Sequence, residues 1–409
     1  MFKNSSIYLL TSIINRAIPF LLLPFLTKYL SPAEYGIVTV VTIIISFSYP
    51  LMNMSGNLLI AKNYFKNESG IKAINSNHLI IVLGSFIVLL FIYTLLDLVF
   101  KVQFDVPYYW IVFVLLVGVF NSLNLNYITI LRCSDRVLKY GQYEIFKSVI
   151  NVGLSLLFVM AFKMSWQGRA WGMLISLIVY GTMSFYMQRK EGVIEFSYNK
   201  EVFKSNWKFA LPLVPLTLSN MVMNFSDRFF IKEMVGIKAL GLYSVGYTLG
   251  MSILVYTESF SKAWQPWFFE KAKEFEKNSG VVYKSVFYYF LSLCALPVII
   301  WLACKYLIYP YLINHQFASS LNYVLGVAFA YSLQGIFIVL YSVLVWLDKP
   351  KIIGTTSMVT LVINLMLNWW LVNKFAAMGA VYATVATYFS MVVILLYYCI
   401  KHFKLRSLA

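Results

Sequence analysis

The sequence predicts an all-α, polytopic membrane protein with about twelve transmembrane helices, arranged as two pseudo-symmetric six-helix bundles. Three observations carry this prediction: the apolar content, a series of long apolar runs, and an internal repeat. Of the 409 residues, 60% are hydrophobic and 12% are charged, whereas a soluble domain is about half apolar and about a quarter charged. Twelve membrane spans of roughly 20 residues each would use about 240 residues. This composition excludes a water-soluble fold.

Twelve apolar runs, separated by short charged stretches, predict the individual spans. They cover residues 7–27, 37–58, 78–100, 109–130, 145–163, 169–187, 209–231, 241–261, 282–304, 321–346, 353–372 and 377–400. Strands of a membrane β-barrel would alternate apolar and polar residues over about ten positions. These runs are apolar on every face and roughly twice that length. They therefore predict helices, which satisfy their own backbone hydrogen bonds in lipid.

The distribution of Lys and Arg predicts the orientation in the membrane. With twelve spans, the side that holds the N-terminus carries 23 basic residues and the opposite side carries eight. Basic loops stay in the cytoplasm, so we expect both termini to be cytoplasmic. The net charge of +17 is then a property of these loops, with anionic lipid headgroups as its counter-charge. It needs no nucleic acid as a partner.

Several classes of enzyme are excluded by residues that the sequence lacks. The three histidines (His78, His315 and His402) have no metal-ligand spacing, and there is no Walker A motif. A membrane glycosyltransferase or acyltransferase would need clustered acids or a His-Asp pair, and none is present. We expect a protein without enzymatic activity, without a metal site and without a cofactor.

An internal repeat predicts the domain organisation. Residues 29–40 align with residues 234–245 at an offset of 205, which pairs Gly36 with Gly241. Two further matches follow in the same order: Asp135 and Arg136 with Asp348 and Lys349 at an offset of 213, and Gln167-Gly168 with Met378-Gly379 at 211. The repeat predicts a first bundle over residues 1–200 and a second over 201–409. Parallel repeats of this kind typically have a substrate path between two lobes, which indicates transport. The alternative is an old duplication without a transport role.

Charged residues inside the predicted spans are the candidate site. Arg16 lies near the middle of the first span, and Asp227 and Arg228 lie in the seventh, which is its repeat partner. A charge at mid-bilayer costs about 2.5–3.5 kcal/mol on insertion scales, so such residues usually line a cavity or form pairs. The same two spans each contain two prolines, which predict bending because proline removes a backbone donor. These prolines are Pro19 and Pro24 in the first span and Pro212 and Pro215 in the seventh.

Each of these charges has two interpretations. Arg16 and Arg228 either face a water-filled lumen and attract an anion, or make structural contacts with Arg228 snorkelling to the outer membrane surface. Glu258 either carries a coupling proton or is an interfacial carboxylate. Lys62 and Lys66 either bind a phosphate at the inner leaflet or anchor the end of the second span.

Three stretches of sequence resemble a known family. They are Leu-Thr-Lys-Tyr-Leu-Ser-Pro-Ala-Glu-Tyr-Gly at 26–36, Asp-Arg-Phe-Phe-Ile at 227–231 and Ala-Leu-Gly-Leu-Tyr-Ser at 239–244. The whole chain resembles polysaccharide-lipid flippases of the Wzx type, which translocate O-antigen and capsule repeat units. Their superfamily also contains multidrug and toxic-compound extruders and the lipid II flippase. Where the family often has Arg, this sequence has Lys62 before Asn63-Tyr64-Phe65, and Lys is a point charge that cannot form a bidentate phosphate contact.

The resemblance implies two six-helix bundles around a cationic cavity in a bacterial inner membrane. It implies that an oligosaccharide on undecaprenyl diphosphate is moved from the cytoplasmic to the periplasmic leaflet, for lipopolysaccharide O-antigen or capsule. Arg16 would neutralise the diphosphate, supported by Arg228, Lys62 and Lys66, while Asp227 or Glu258 would serve ion coupling. A polysaccharide polymerase and a chain-length regulator are the candidate protein partners. Two alternatives remain: an ion-coupled multidrug exporter of the same superfamily, and a non-transport scaffold of polysaccharide assembly.

The predicted role of Arg16 is testable in the native host. Replacing it by Ala removes the deepest predicted cation, so we expect surface polysaccharide to fall sharply, while Arg16→Lys keeps the charge and retains part of it. The measurement is surface polysaccharide at matched protein level. Full polysaccharide from the Ala variant would exclude the role.

Overall fold

The computed structural model describes residues 18–65, 70–99 and 105–406, and within these ranges the chain is helical with no strand. The helices, in chain order, are α1 (Ile18–Tyr29), α2 (Pro32–Asn53), α3 (Gly56–Tyr64), α4 (Ile71–Leu98), α5 (Tyr108–Cys133), α6 (Val137–Leu156), α7 (Ser165–Lys190), α8 (Lys200–Ala210), α9 (Val214–Met234), α10 (Ile237–Gly250), α11 (Ile253–Ala272), α12 (Phe275–Ala303), α13 (Tyr309–Leu312), α14 (Leu321–Trp346), α15 (Pro350–Phe375) and α16 (Ala377–Arg406).

These helices confirm the predicted fold class. The described residues contain 11 helical segments that are long and apolar enough to cross a membrane. Each of them overlaps one of the predicted runs from residue 37 onwards. The first predicted run, 7–27, lies mostly outside the described residues, and α1 is its described end. Several helices extend beyond their apolar runs, such as α11, which continues to Ala272, because polar turns at an interface keep their backbone hydrogen bonds while their side chains reach water.

The predicted second span, 37–58, is wrong at its end. Helix α2 stops at Asn53 and α3 starts at Gly56, because Met54 and Ser55 adopt left-handed backbone angles, with φ of 41° and 58°. Such angles cost roughly 1–3 kcal/mol for a residue with a side chain and persist only where the surroundings enforce them. Pro50 lies one turn earlier and removes a helical donor. The apolar pattern continues through this break, so hydropathy alone could not reveal it.

The described chain divides into two compact units. One comprises the described residues up to Leu30 together with Ile37–Met221, and the other comprises Ser31–Gly36 together with the described residues from Val222. The first unit is built around α5, which packs against α3, α4, α6 and α7, and the second around α14, which packs against α10, α11, α12, α15 and α16. The predicted bundle boundary between residues 200 and 201 stays a prediction about the duplication.

The two central helices occupy corresponding places in the repeat. Both α5 and α14 have 26 residues, and they begin 213 residues apart, at Tyr108 and Leu321. This is the offset at which Asp135 aligns with Asp348. In each unit the repeat therefore places an equivalent helix at the centre of the packing.

Two glycines allow a close helix contact within the second unit. A Cβ atom at Gly241 in α10 would lie 1.8 Å from the carbonyl oxygen of Pro32, and one at Gly36 would lie 2.1 Å from that of Ile237. Any side chain there would clash with backbone, which cannot move aside as a flexible side chain can. The repeat-paired Gly36 and Gly241 are thus required by packing.

We expect Gly241→Ala to destabilise the protein by about 1–3 kcal/mol, the usual range for overpacking a tight site. The measurement is the thermal unfolding midpoint in detergent. Gly354→Ala is the matched control, because no heavy atom lies within 4 Å of the position that its new methyl group would take on α15 and Ala is the better helix former. Equal unfolding midpoints for Gly241→Ala and the wild type would contradict the packing argument.

Candidate functional site

The charged pair Asp227-Arg228 lies in α9, which follows a short 3-10 turn at Leu211–Leu213. Pro212 lies in this turn and Pro215 lies in the first turn of α9. A proline is tolerated at the start of a helix because the first N–H groups have no helical acceptor. Both prolines therefore lie where the helix is interrupted, about three turns before the charged pair.

Asp227 is buried, with 5% of its surface exposed. Its Oδ2 accepts a hydrogen bond from the Tyr243 hydroxyl at 2.5 Å, and its Oδ1 accepts one from the backbone N–H of Arg228 at 2.8 Å. The same Oδ1 lies 3.4 Å from Nη1 of Arg228. A buried carboxylate is costly unless it is paired and hydrogen-bonded, and here both oxygens have donors.

The guanidinium of Arg228 lies between aromatic rings. Its Cζ is 4.2 Å from the ring centroid of Tyr247 and 5.2 Å from that of Phe225. Nη1 donates to the backbone oxygen of Asn224 at 2.8 Å, and 12% of the side chain is exposed. Nη1 is the donor to both Asn224 and Asp227. Nε and Nη2 carry the other three of the five N–H donors of the guanidinium.

Tyrosines of α10, α14 and α16 complete this region, and none of them was predicted as a site residue. Tyr247 and Tyr331 share a hydrogen bond between their hydroxyls, and the Tyr331 and Tyr388 rings are 5.9 Å apart. Tyr243 and Tyr247 are four residues apart and so share one face of α10. The four-residue spacing of these two tyrosines, at the end of the Ala239–Ser244 motif, was the sequence signal that could have identified them.

A small cavity adjoins the carboxylate of Asp227. Its volume is about 10 Å³, on a scale where one water molecule needs roughly 10–15 Å³. Its lining consists of Met223, Asp227, Tyr247, Asn364, Thr384, Thr387 and Tyr388. Ser226 Oγ donates to Asn364 Oδ1 at 2.7 Å, and Asn364 Nδ2 donates to Thr387 Oγ1 at 3.1 Å. The site can hold a ligand of water size against an acidic oxygen.

The other predicted site residues are not all gathered here. Lys62 belongs to the first unit, at the end of α3, where its ammonium lies 4.7 Å from the ring centroid of Phe209. Glu258 is half-buried in α11, and Pro19 and Pro24 lie within α1. Arg16 and Lys66 lie outside the described residues.

A second charged cluster, in the first unit, has Glu191 at its centre. Its Oε1 accepts hydrogen bonds from the Tyr127 hydroxyl at 3.0 Å and from Lys139 Nζ at 2.6 Å, and lies 2.9 Å from Arg136 Nη1. Partial burial acts to raise the pKa of Glu191, but the bonds from Lys139 and Tyr127 and the charge of Arg136 outweigh it. The pKa therefore lies below its ordinary value, and the carboxylate is held ionised.

The chain is similar to known proteins in sequence. The model of the family described as polysaccharide biosynthesis protein matches residues 1–272. A protein of Haemophilus influenzae named for the Lsg locus is 21% identical over 369 residues, which is 89% of each chain.

Solved structures of MATE transporters share the fold. An inward-facing multidrug resistance MATE family transporter of the MOP superfamily is 14% identical, with a TM-score of 0.73 over 95% of this chain and 96% of the other. An outward-facing one is 16% identical, with a TM-score of 0.60 over 99% and 97%.

The Glu191 cluster predicts a pH-dependent stability. A carboxylate with a lowered pKa stabilises the fold above its unfolded pKa, about 4.3, and loses this contribution as the pH falls through the folded pKa. We expect Glu191→Gln to cost about 1–2 kcal/mol at pH 7.5 and less as the pH falls below about 4, measured as thermal unfolding in detergent. Glu270→Gln is the control, since that side chain is 72% exposed. An equal loss from Glu270→Gln would contradict the assignment.

Proposed function

Because the chain belongs to the polysaccharide biosynthesis protein family and has the fold of MATE transporters, we propose that it is a flippase for lipid-linked oligosaccharides. In this proposal it moves undecaprenyl-diphosphate-linked repeat units from the cytoplasmic to the periplasmic leaflet by alternating access. The product supplies O-antigen or capsule, and the protein is a multi-pass component of the bacterial inner membrane with both termini cytoplasmic. Polysaccharide polymerase and chain-length regulator are its proposed partners.

The observation that carries the proposal is a guanidinium within a membrane-spanning segment. Arg228 lies in the span Lys200–Met234 with 12% of its side chain exposed. Charged residues within membrane spans are costly and often mark substrate or ion pathways. At about 5 Å and an effective dielectric near 20, one Arg gains roughly 3 kcal/mol against a single negative charge. A diphosphate brings at least two such charges.

The surroundings of Arg228 support an exchange of partners. Its Cζ lies 4.2 Å from the Tyr247 ring centroid, and a guanidinium can bind the paired oxygens of a phosphate group through two parallel N–H donors. Asp227 neutralises the cation before substrate arrives, because an unpaired charge in the membrane is costly. A diphosphate would then compete with Asp227 for the guanidinium.

The other cations extend this proposal along the chain. In the proposed orientation Lys62 lies at the cytoplasmic end of the first unit, where the substrate enters. Its ammonium rests over Phe209 while its side chain is exposed, so it can reach a phosphate without breaking an ion pair. Lys66 follows four residues later in the sequence, and Arg16 is assigned the deepest contact with the diphosphate.

Asp227 is the proposed coupling group. Its carboxylate adjoins a cavity of water size, and movement of a proton or a small cation there would change its bond to Arg228. That change would release the guanidinium for the diphosphate. Glu258, half-buried in α11, is the second candidate for this role.

A multidrug exporter is the alternative function, and the buried carboxylate of Asp227 is the observation that favours it. Organic cations would need an acidic group that is open to them. Both oxygens of Asp227 already accept hydrogen bonds from Tyr243 and Arg228, so the flippase accounts better for the pair. A drug-susceptibility panel on a deletion strain separates the two.

Variants of Arg228 test the flippase. We expect Arg228→Ala to lower flipping of lipid-linked oligosaccharide in proteoliposomes by about a hundredfold, which corresponds to roughly 3 kcal/mol. Arg228→Lys should retain part of the rate, and Arg189→Ala, in the last turn of α7, should retain nearly all of it.

The double variant Asp227→Asn/Arg228→Ala separates a purely structural role of the pair from its proposed roles in binding and coupling. It removes both charges, so it relieves the unpaired carboxylate that Arg228→Ala leaves behind. We expect it to fold as the wild type and still fail to flip the substrate. If it restored flipping, the pair would be only structural and the proposal would be wrong.

A further inference from the structure

A network of buried polar side chains lies in the first unit, around His78 of α4. His78, Asn75 and Gln188 are fully buried and Asn126 is 3% exposed. They lie on α4, α5 and α7, three of the helices that are long and apolar enough to cross a membrane. Polar groups at this position are costly in a membrane unless they serve one another as partners.

Backbone carbonyls fix the direction of every hydrogen bond in this network. Gln188 Nε2 donates to the carbonyl oxygens of Leu123 and Ser184, each at 3.1 Å, so its Oε1 is the acceptor for Asn75 Nδ2 at 2.7 Å. Asn75 Oδ1 then accepts from Asn126 Nδ2 at 3.2 Å. The amide nitrogen of Asn126 therefore also faces His78.

This chain of bonds defines the protonation of His78. Asn126 Nδ2 lies 3.0 Å from Nδ1 of the ring, and an amide nitrogen can only donate. Nε2 lies 2.8 Å from the carbonyl oxygen of Asn53, which can only accept. The ring is thus neutral, with its proton on Nε2, and its unprotonated Nδ1 accepts the hydrogen bond from Asn126.

The ring also closes the helix break between α2 and α3. The Asn53 carbonyl is the last of α2 before the left-handed Met54 and Ser55, and His78 supplies its donor. A Cβ atom at Gly56 would lie 2.1 Å from the ring, so only glycine leaves room for the imidazole. His78 connects the broken helix to the amide network.

A second proton on the ring cannot be accommodated in this arrangement. It would sit on Nδ1 and face the amide hydrogens of Asn126. The acceptor that could receive it is Asn126 Oδ1, which is buried and has no hydrogen-bond partner in the described part of the chain. Turning the amide would present Oδ1 to the ring, but it would also place an oxygen against Asn75 Oδ1 and break that bond.

No charged side chain of the described residues contacts the ring. The ionisable groups on its own helix and on the elements packed around it are Glu34, Tyr35, Tyr49, Lys62, Tyr64, Lys72, Tyr93, Asp97, Tyr108, Tyr109, Tyr127, Arg132, Cys133, Arg169, Tyr180, Tyr186, Arg189, Lys190, Glu191, Lys200, Glu201, Lys204 and Lys208. Those with charged or aromatic partners have them elsewhere, as Lys72 has with Glu195, Glu191 with Lys139, and Lys62 with Phe209. Among the described residues, the hydrogen-bond partners of the ring are therefore the uncharged Asn53 carbonyl and Asn126 amide.

We propose that His78 is a proton-binding site that couples the helix break at Met54–Ser55 to the packing of α4 against α5 and α7. A proton from water adds to the lone pair of Nδ1 and gives an imidazolium, the Asn126 amide turns to accept it, and the Asn126–Asn75 bond opens. Loss of the proton reverses these steps. The inference rests on the proposed transport cycle for its use, where a proton gradient would drive the change, but the binding itself is measurable without transport.

The direct test is nuclear magnetic resonance of the imidazole nitrogens. Protein labelled with ¹⁵N-histidine in lipid nanodiscs has three imidazoles, and the His78 signals are those lost in His78→Gln, which can still donate to the Asn53 carbonyl. For His78 of the wild type we expect one unprotonated and one protonated nitrogen at pH 8, and two protonated nitrogens in acid. Asn126→Asp offers Nδ1 an anionic acceptor, so His78 should be doubly protonated there already at pH 8. The proposal would be overturned if the wild-type ring kept one unprotonated nitrogen throughout the acid titration and the Asn126→Asp ring were also singly protonated at pH 8.

Flipping assays distinguish the failure of this inference from that of the proposed function. In proteoliposomes we expect a pH gradient to accelerate flipping several-fold in the wild type and not in His78→Gln. If His78→Gln kept the acceleration, the coupling role would be wrong and the flippase would stand. If the wild type failed to flip lipid-linked oligosaccharide while His78 took up its proton, the flippase would be wrong and the proton site would stand.

Discussion

The hydrocarbon core of a membrane contains no water, so each polar group placed in it must find its partner within the protein. This constraint accounts for the features on which the structure depends. Backbone groups are satisfied by helices throughout the described chain. Asp227 has Tyr243 and Arg228, and His78 has Asn53 and Asn126. A chain that retains such groups at a cost in insertion uses them for something that apolar residues cannot do.

The two polar regions differ in what they can exchange. The Asp227-Arg228 pair carries formal charges and adjoins a cavity, so its partners can be replaced by an anion or a small ligand. The network of His78 is uncharged and closed by backbone carbonyls, so it responds to a proton by turning amides. A charged pair suits a lipid-linked diphosphate, whereas a neutral network with one bare ring nitrogen suits a proton.

Much of the fold could be predicted from the sequence because length and hydropathy are local properties. The run 321–346 coincides with α14, and the offset of 213 that pairs Asp135 with Asp348 also relates the central helices α5 and α14. The break after Asn53 could not be predicted, because Met54 and Ser55 are ordinary residues whose left-handed angles depend on tertiary contacts, including the bond from His78. Likewise, polar turns that extend α11 to Ala272 lie outside any apolar pattern.

The candidate site also contains residues that the sequence could reveal and residues that only tertiary packing identifies. Asp227 and Arg228 could be found because a charge in an apolar run is visible in the sequence, and the structure brings them together with Tyr243 and Tyr247. These tyrosines were hidden among 30 tyrosines, and the partners of His78 come from helices far apart in the chain. Asn126 and Gln188 contact it directly or through Asn75 only after the helices have packed. Sequence patterns reveal which residue types are unusual, while three-dimensional packing decides which of them meet.

We propose that cations in the spanning helices serve an anionic lipid carrier. The most direct measurement compares flipping by the purified wild-type protein of one glycan on two carriers, a polyprenyl diphosphate and an uncharged lipid of equal length. We expect fast flipping of the diphosphate-linked glycan and little of the neutral one. Equal rates for the two would show that the carrier's charge is not recognised, and the proposed role of the cations would be wrong.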